Sequence, residues 1–424
     1  MARLLLLLLP SLSYRGEAFL EAANKVGVSL IVGGDVSPDF HDPSPVRFLS
    51  LDLQDQASCV SAAVEFAKTH PIDVILGVND HTTVLASKIS AALGLPSNSL
   101  DSVCAARNKH IMRELLRNHG LPHPHFVMYG IEEEPEAVAQ HVRFPCVLKP
   151  LTLSASCGVI RANDPESFQK AYIRIRDLLT SLEKPEQEEE DSQILIEDFI
   201  PGTEVAVEGL LTKGDLRLLA IFDKPDPLDG PYFEETIYVT PSRLSPEIQQ
   251  HIHETLSQAA RAIGLREGPI HGELRINDHG VWVIEVAARS IGGKCSRTLQ
   301  FGTGLSLEEI ILFHALGKEL PSLNLKEGAA GVMMIPIPKE GILEGVEGQV
   351  EAQQVPGVVE LVVTAHPGEH LIPLPEGTRY LGFILARRKK PEEVEATLRE
   401  AHRRLTVVTR THPPAFSRPG VVWV

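Results

Sequence analysis

Two glutamates twelve residues apart, Glu273 and Glu285, lie on either side of a turn in HGELRINDHGVWVIEVAARSIGG, His271 to Gly293. Asn277-Asp278-His279-Gly280 between two apolar runs is a hairpin signal, so paired strands bring both carboxylates to one face. Facing carboxylates repel unless a cation or a shared proton intervenes. Magnesium carrying nucleotide phosphates is the natural cation, because one or two carboxylates plus phosphate oxygens hold it. Arg289, four residues past Glu285, sets a planar guanidinium near the same oxygens. Two exposed glutamates paired by coincidence would explain the acids, but not the acids, the arginine and Gly292-Gly293 together.

Two further segments carry phosphate chemistry. In FPCVLKPLTLSASCGV, Phe144 to Val159, Lys149 ends an apolar strand, where a charge needs a partner. The small residues Ser156-Cys157-Gly158 follow, and their amides could close over phosphate oxygens; the alternative is an ordinary snorkelling lysine. In ILIEDFIPGTEVAVEG, Ile194 to Gly209, a strand reaches Glu197, turns at Pro201-Gly202 and returns through Glu204. Glu197, Phe199, Ile200 and Glu204 could form an adenine slot, and a hairpin with exposed acids is the other reading. A Walker A loop is absent: Gly292-Gly293-Lys294 is followed by Cys295, where Ser or Thr is required.

With Lys109 in ARNKH, Lys149 in VLKP, S-x-G-V at Ser156 to Val159, E-x-F-I-P-G-x-E at Glu197 to Glu204 and E-V-A-A-R at Glu285 to Arg289, the chain resembles the ATP-grasp superfamily. More narrowly it resembles the L-amino acid ligases, which join amino acids into dipeptides. The resemblance runs over nearly the whole chain, through FDKPDPLDGPYFEE and into the segments GVMMIPIPKEGILEGVEG and PLPEGTRYLGFILARRKKPEEVEATLREAH. It implies an α/β ATP-grasp fold, with an N-terminal open parallel α/β (preATP-grasp) domain over 1–105. A nucleotide-binding and catalytic domain would span 106–320 and an α+β C-terminal domain 321–424.

By the same resemblance Lys109 and Lys149 hold ATP phosphates, and Ser156, Gly158 and Val159 belong to a lid. Glu197, Phe199, Ile200 and Glu204 line the adenine and ribose pocket. Glu273 and Glu285 bind magnesium, or manganese in its place, and Arg289 faces the transferring phosphoryl group. One departure is Ala287, where many superfamily members have a metal-binding Asn. The implied reaction is ATP-dependent carboxylate–amine ligation through an acyl phosphate, joining small-molecule substrates, with ADP and phosphate released. Alternatives are another ATP-grasp ligase or carboxylase, or a nucleotide-binding protein without turnover. Substrate-pocket candidates are Tyr232, Phe233, Glu234, His271, Arg275 and Arg289. Proteins of this kind often form homodimers.

These residues need elements to position them. Over the first hundred residues the strand candidates Leu4 to Leu9, Ser29 to Val32, Val46 to Leu51 and Val74 to Gly77 alternate with helices near Phe19, over Ala57 to Lys68 and over Thr82 to Leu93. That alternation predicts an open parallel sheet. Such sheets bind ligands at the carboxyl ends of their strands, here PSLSYRG and GVNDH. A helix over Asn108 to Asn118 leads through GLPHP into shorter β-rich segments. Among these, Glu183 to Gln193 (EKPEQEEEDSQ) reads as a solvated acidic loop. From about Lys326 come the strands Gly331 to Ile335, Val358 to Thr364 and Tyr380 to Ala386, with one helix, Pro391 to Leu405.

The opening MARLLLLLLP admits two readings. A signal peptide needs a longer apolar region and a small-residue cleavage site, whereas this run stops at Pro10 and no A-x-A follows before Arg15. A buried parallel strand fits better, and an ATP-dependent enzyme is expected in the cytoplasm. The 424 residues suffice for two or three domains. With 40 basic and 56 acidic residues the net charge is −16, which argues against a nucleic-acid partner. No run approaches the length of a membrane span. Five separated cysteines, without a C-x-x-C pair, indicate neither a disulfide framework nor a zinc site.

Overall fold

A computed structural model describes residues 3–10, 13–36, 47–182, 189–302, 304–320 and 322–410. The leucine run becomes β1 (Leu4–Leu8), buried on both faces, as an inner strand of a parallel sheet must be. It pairs in parallel with β2 (Ser29–Gly34) and β4 (Val74–Gly77), and β3 (Arg47–Ser50) completes the order β3-β2-β1-β4. The open parallel sheet expected from the alternation is therefore present, with Val46 outside the described residues. Helix α1 (Gly16–Val26) buries Phe19, Leu20, Ala22 and Ala23 and ends at Gly27, whose φ of 72° suits a residue without Cβ. Helices α2 (Gln56–Ala67) and α3 (Asp80–Leu93) follow, the latter opened by a capping box between Asn79 and Thr82.

Helices α4 (Leu100–Arg107) and α5 (Lys109–Asn118) lead to a second sheet. Its strands β5 (Phe126–Gly130), β6 (Cys146–Pro150), β7 (Ile160–Ala162) and β8 (Gln193–Asp198) take the order β5-β8-β6-β7. Between them lie α6 (Pro135–Ala139) and α7 (Pro165–Thr180), whose buried Phe168, Tyr172 and Ile175 back the sheet. Of the acidic stretch expected as a loop, 183–188 lies outside the described residues, and Glu189–Ser192 is a 3-10 turn running into β8.

The largest sheet holds β9 (Thr203–Thr212), β10 (Asp215–Asp223), β11 (Ile237–Thr240), β12 (Gly268–Asn277) and β13 (Gly280–Ala287), with α8 (Pro246–Ile263) packed on it. After α9 (Leu307–Ala315) comes β14 (Ala329–Ile335), which pairs with β11 and so continues the same sheet. The chain then runs through β15 (Gly341–Glu347), α10 (Gln349–Gln353), β16 (Val358–Val363), β17 (His370–Leu371), β18 (Gly382–Arg388), α11 (Pro391–Arg403) and β19 (Thr406–Arg410). The sheet order is β13-β12-β9-β10-β11-β14-β18-β16, and β17-β15-β19 form a small separate sheet.

The hairpin expected at Asn277 to Gly280 is β12–β13, with Asn277 opposite Gly280. The turn at Pro201-Gly202 does not return the chain beside its own strand: β8 and β9 belong to different sheets. Both strands are buried along most of their length, so each needs its own neighbours on both edges. Gly202 makes the switch, with φ 123° and a position where a Cβ would stand 2.1 Å from the Ile276 carbonyl oxygen. Glu197 and Glu204 are accordingly buried rather than the exposed acids of a hairpin.

Candidate active site

A cavity of about 690 Å³ opens where the three large sheets meet and the segment after β16 folds over them. Lys109, Lys149, Glu197, Glu273, Glu285 and Arg289 all line it, as do Ser156, Val159, Phe199, Ile200, Glu204, His271 and Arg275. Gly158 and Glu234 are not on its wall; Glu235, the residue after Glu234, is. Tyr232 also lies off the wall, with its hydroxyl on Arg174 Nη1 at 2.5 Å, whereas Phe233 lines the cavity.

The strand-end lysine has the partner its burial demands. Lys149 Nζ lies 2.6 Å from Glu197 Oε2, and Arg113 Nε donates to Glu197 Oε1 at 2.6 Å. Burial alone would raise the Glu197 carboxyl, but the charges of Arg113 and Lys149 outweigh it and hold the group down at about 2. Lys109 opens α5; its Nζ donates to the Leu153 carbonyl at 2.7 Å and sits 3.6 Å from Glu285 Oε2. Ala155 and Ser156, at the start of the segment expected as a lid, adopt left-handed φ angles of 55° and 56°. Cys157 beside them is buried, which pushes its thiol up to about 12 and leaves no reactive thiolate. Phe199 lies under the Arg161 guanidinium, 3.9 Å from the ring centroid, with Arg275 at 5.1 Å.

Glu273 and Glu285 stand directly opposite each other in the β12–β13 register, beside a bulge between Glu273 and Leu274. Their carboxylate oxygens are the hard donors magnesium takes, and Glu285 is restrained only loosely by Lys109, so this donor pair fits the ion. Ala287 is buried and offers no donor. Glu273 belongs also to a second acidic group: Glu204, Glu235 and Glu273 present carboxylate oxygens within 4.8 Å of one another. An ammonium sits among them, with Lys224 Nζ 2.8 Å from Glu204 and 3.3 Å from Glu273 and in close contact with Glu235. Burial and the neighbouring Glu273 push the Glu235 carboxyl up to about 8, while Lys224 and His271 hold Glu273 well below the carboxylate range despite its burial. Arg275 is spent on Glu204 Oε2 at 2.8 Å and the Ile200 carbonyl at 2.7 Å.

Arg289 is fixed by a residue the sequence reading left without a role. Its Nε and Nη2 donate to Asp80 Oδ1 and Oδ2, each at 2.9 Å, and Ser154 Oγ donates to the same carboxylate at 3.0 Å. Burial would raise Asp80, but Arg289 prevails and holds it at about 2. Asp80 lies in GVNDH, at the carboxyl end of β4, so its place was signalled although its partner was not. Behind this loop Glu208 is fully buried; its Oε2 accepts from the Ile291 N–H at 2.8 Å, and burial keeps the carboxyl well above its usual range.

Residues 142–298 match the ATP-grasp domain, so this stretch of the chain is an ATP-grasp domain. Residues 333–410 match the L-amino acid ligase C-terminal domain 2. Alanine–anticapsin ligase of Bacillus subtilis (strain 168) is 25% identical over 288 residues, 65% of this chain and 60% of that protein. An L-arginine-specific L-amino acid ligase of Bacillus subtilis is 21% identical over 82% of this chain and 83% of its own. The crystal structure of an L-amino acid ligase from Bacillus licheniformis superposes with a TM-score of 0.79 at 25% identity, covering 96% of this chain and 99% of that one.

Proposed function

We propose that this protein is an ATP-dependent carboxylate–amine ligase that joins two amino acids, releasing ADP and phosphate. The observation that carries the reading is the single cavity to which separate sheets deliver two lysines, two facing glutamates and an arginine. The activities for which the relatives are named, ligation of alanine and of arginine, agree with it.

A free carboxylate does not acylate an amine in water, because its leaving group is too poor. It first attacks the γ-phosphorus of ATP, forming an acyl phosphate as ADP leaves. The amine then attacks the acyl carbon, phosphate departs, and the nitrogen loses a proton. Such a sequence needs positioned charge rather than a protein nucleophile. Lys109 and Lys149 would lie along the phosphates, with Phe199 and Ile200 against the base. Arg289, locked by Asp80, would meet the phosphoryl oxygens with its remaining donors at little reorganisation cost. Magnesium or manganese, held by Glu273 and Glu285, would neutralise phosphate oxygens. The lid at Ser156 to Val159 would exclude water, which would otherwise hydrolyse the acyl phosphate. ATP as substrate points to the cytoplasm.

The test is phosphate release from magnesium and ATP across all pairs of the twenty amino acids, with mass spectrometry of the products. A pair that releases phosphate and yields a dipeptide is the expected result. Bicarbonate-dependent release without an amine would point instead to a carboxylase, and silence with ATP bound would overturn turnover altogether.

A further inference from the structure

Most cations on the cavity wall are answered by a carboxylate. Lys109 has Glu285, Lys149 has Glu197, Arg275 has Glu204, Arg289 has Asp80 and Arg379 has Glu369. Arg15 lines the same cavity and has no carboxylate within ion-pair distance among the described residues. It arrives on the loop after β1, at the carboxyl end of the parallel sheet.

Its position is nonetheless built. Arg15 Nη1 donates to the Ser290 carbonyl at 3.1 Å and to Ser290 Oγ at 3.2 Å. Arg289 Nη1 donates to the same Ser290 carbonyl, also at 3.1 Å, so two guanidiniums converge on one oxygen. Asp80 compensates Arg289, and the acid that Arg15 faces electrostatically is Glu208, which lies beyond ion-pair distance, accepts from the Ile291 N–H and is kept by burial well above the usual carboxylate range. The guanidinium packs over Gly292, where a Cβ would stand 3.3 Å from Arg15 Nη2 and 3.4 Å from the Tyr14 hydroxyl. Among the described residues Nε and Nη2 make no hydrogen bond, so that edge of the fork has no partner there. Beside it the rings of Tyr14 and Phe383 stand 5.6 Å apart, an apolar wall suited to an organic acid.

We infer that Arg15 is the subsite for the carboxylate that survives the reaction, the α-carboxylate of the amine-donating amino acid. This rests on the ligase reading, in which one substrate spends its carboxylate on phosphate and the other keeps it. A free guanidinium edge takes a carboxylate in two parallel hydrogen bonds, an arrangement an amide or ester cannot reproduce. The enzyme would thereby select amino acids, rather than simple amines, as acceptors.

The experiment compares an acceptor amino acid, taken from the pair that releases phosphate, with its own carboxamide. A charge-assisted hydrogen-bond pair changes affinity by about 10- to 100-fold, so wild type should prefer the acid over the amide by about that factor in kcat/KM, mostly through KM. In Arg15→Met that preference should collapse to within about threefold, and Arg15→Lys, which keeps the charge but not the fork, should fall between. The KM for ATP separates the other anionic source: if Arg15→Met raises it as much as the KM for the acceptor, the guanidinium serves a phosphate and the inference is overturned. An undiminished acid-over-amide preference in a variant that melts like wild type overturns it as well. If no pair releases phosphate, the ligase reading has failed first, and this one falls with it.

Discussion

Lys149 and Glu285 reach one cavity from different sheets, and each can be removed without removing the other's support. Lys149→Ala leaves Glu197 its Arg113 partner, and Glu285→Ala frees only a 3.6 Å contact with Lys109. Each variant should keep its fold and lose ADP formation by about a hundred- to a thousandfold, the usual loss when one preorganised charge is removed. Circular dichroism together with coupled ADP release checks both halves, and wild-type turnover in Glu285→Ala would remove the metal assignment. The sequence made these residues legible because each breaks a local rule, a charge ending an apolar strand or two acids facing across a hairpin. Asp80, Arg113, Lys224 and Arg15 break no local rule. Their meaning comes from partners tens to hundreds of residues away, and spacing along the chain cannot show them.

At the scale of elements, the segment proposed as the lid is tied to the last part of the chain. The Gly158 N–H donates to the Pro375 carbonyl at 2.7 Å, and Arg174 Nη2 on α7 donates to Glu376 Oε2 at 2.8 Å. Arg174 is well exposed, so the ion pair contributes at most about 1 kcal/mol. Glu376→Ala should therefore speed amide exchange at Cys157 to Val159 by up to about fivefold, with the β6 amides unchanged. Exchange that does not respond there would show that the lid is held by other contacts. The strands bounded by clear apolar runs and turns were readable to within a few residues, whereas β5, β7, β11, β15, β17 and β19 went unread. Helix α8 was readable and went unread: Ser245 caps it, Pro246 opens it and Gly264 closes it. The separation of β8 from β9 was not readable, since a Pro-Gly turn looks the same whether the chain returns to its own sheet or crosses to the next. Nor did any local signal show β14 extending the sheet of β11.

For the molecule as a whole, two of its tethers are buried or half-buried ion pairs that acid will break. Asp80–Arg289 joins the start of α3 to the end of β13, and Glu197 ties α5 to β6 and β8. Both carboxyls are held at about 2, below their unfolded values, so their contribution is complete above the unfolded range near pH 4 and is lost as pH falls through about 2. The urea midpoint should fall steadily below pH 4.5, and Glu197→Gln, less stable at pH 7, should show a shallower fall. Equal slopes would mean that other groups govern acid unfolding. The open parallel sheet, the acidic balance and the lack of a membrane-spanning helix among the described residues were all visible in composition and alternation. The cavity was not, because it exists only where three sheets meet. The central claim, activation of a carboxylate as its acyl phosphate, is tested most directly by following ¹⁸O from a labelled donor amino acid. One labelled oxygen in the released phosphate for each dipeptide formed is the predicted result; phosphate free of label, or label found in AMP, would contradict it.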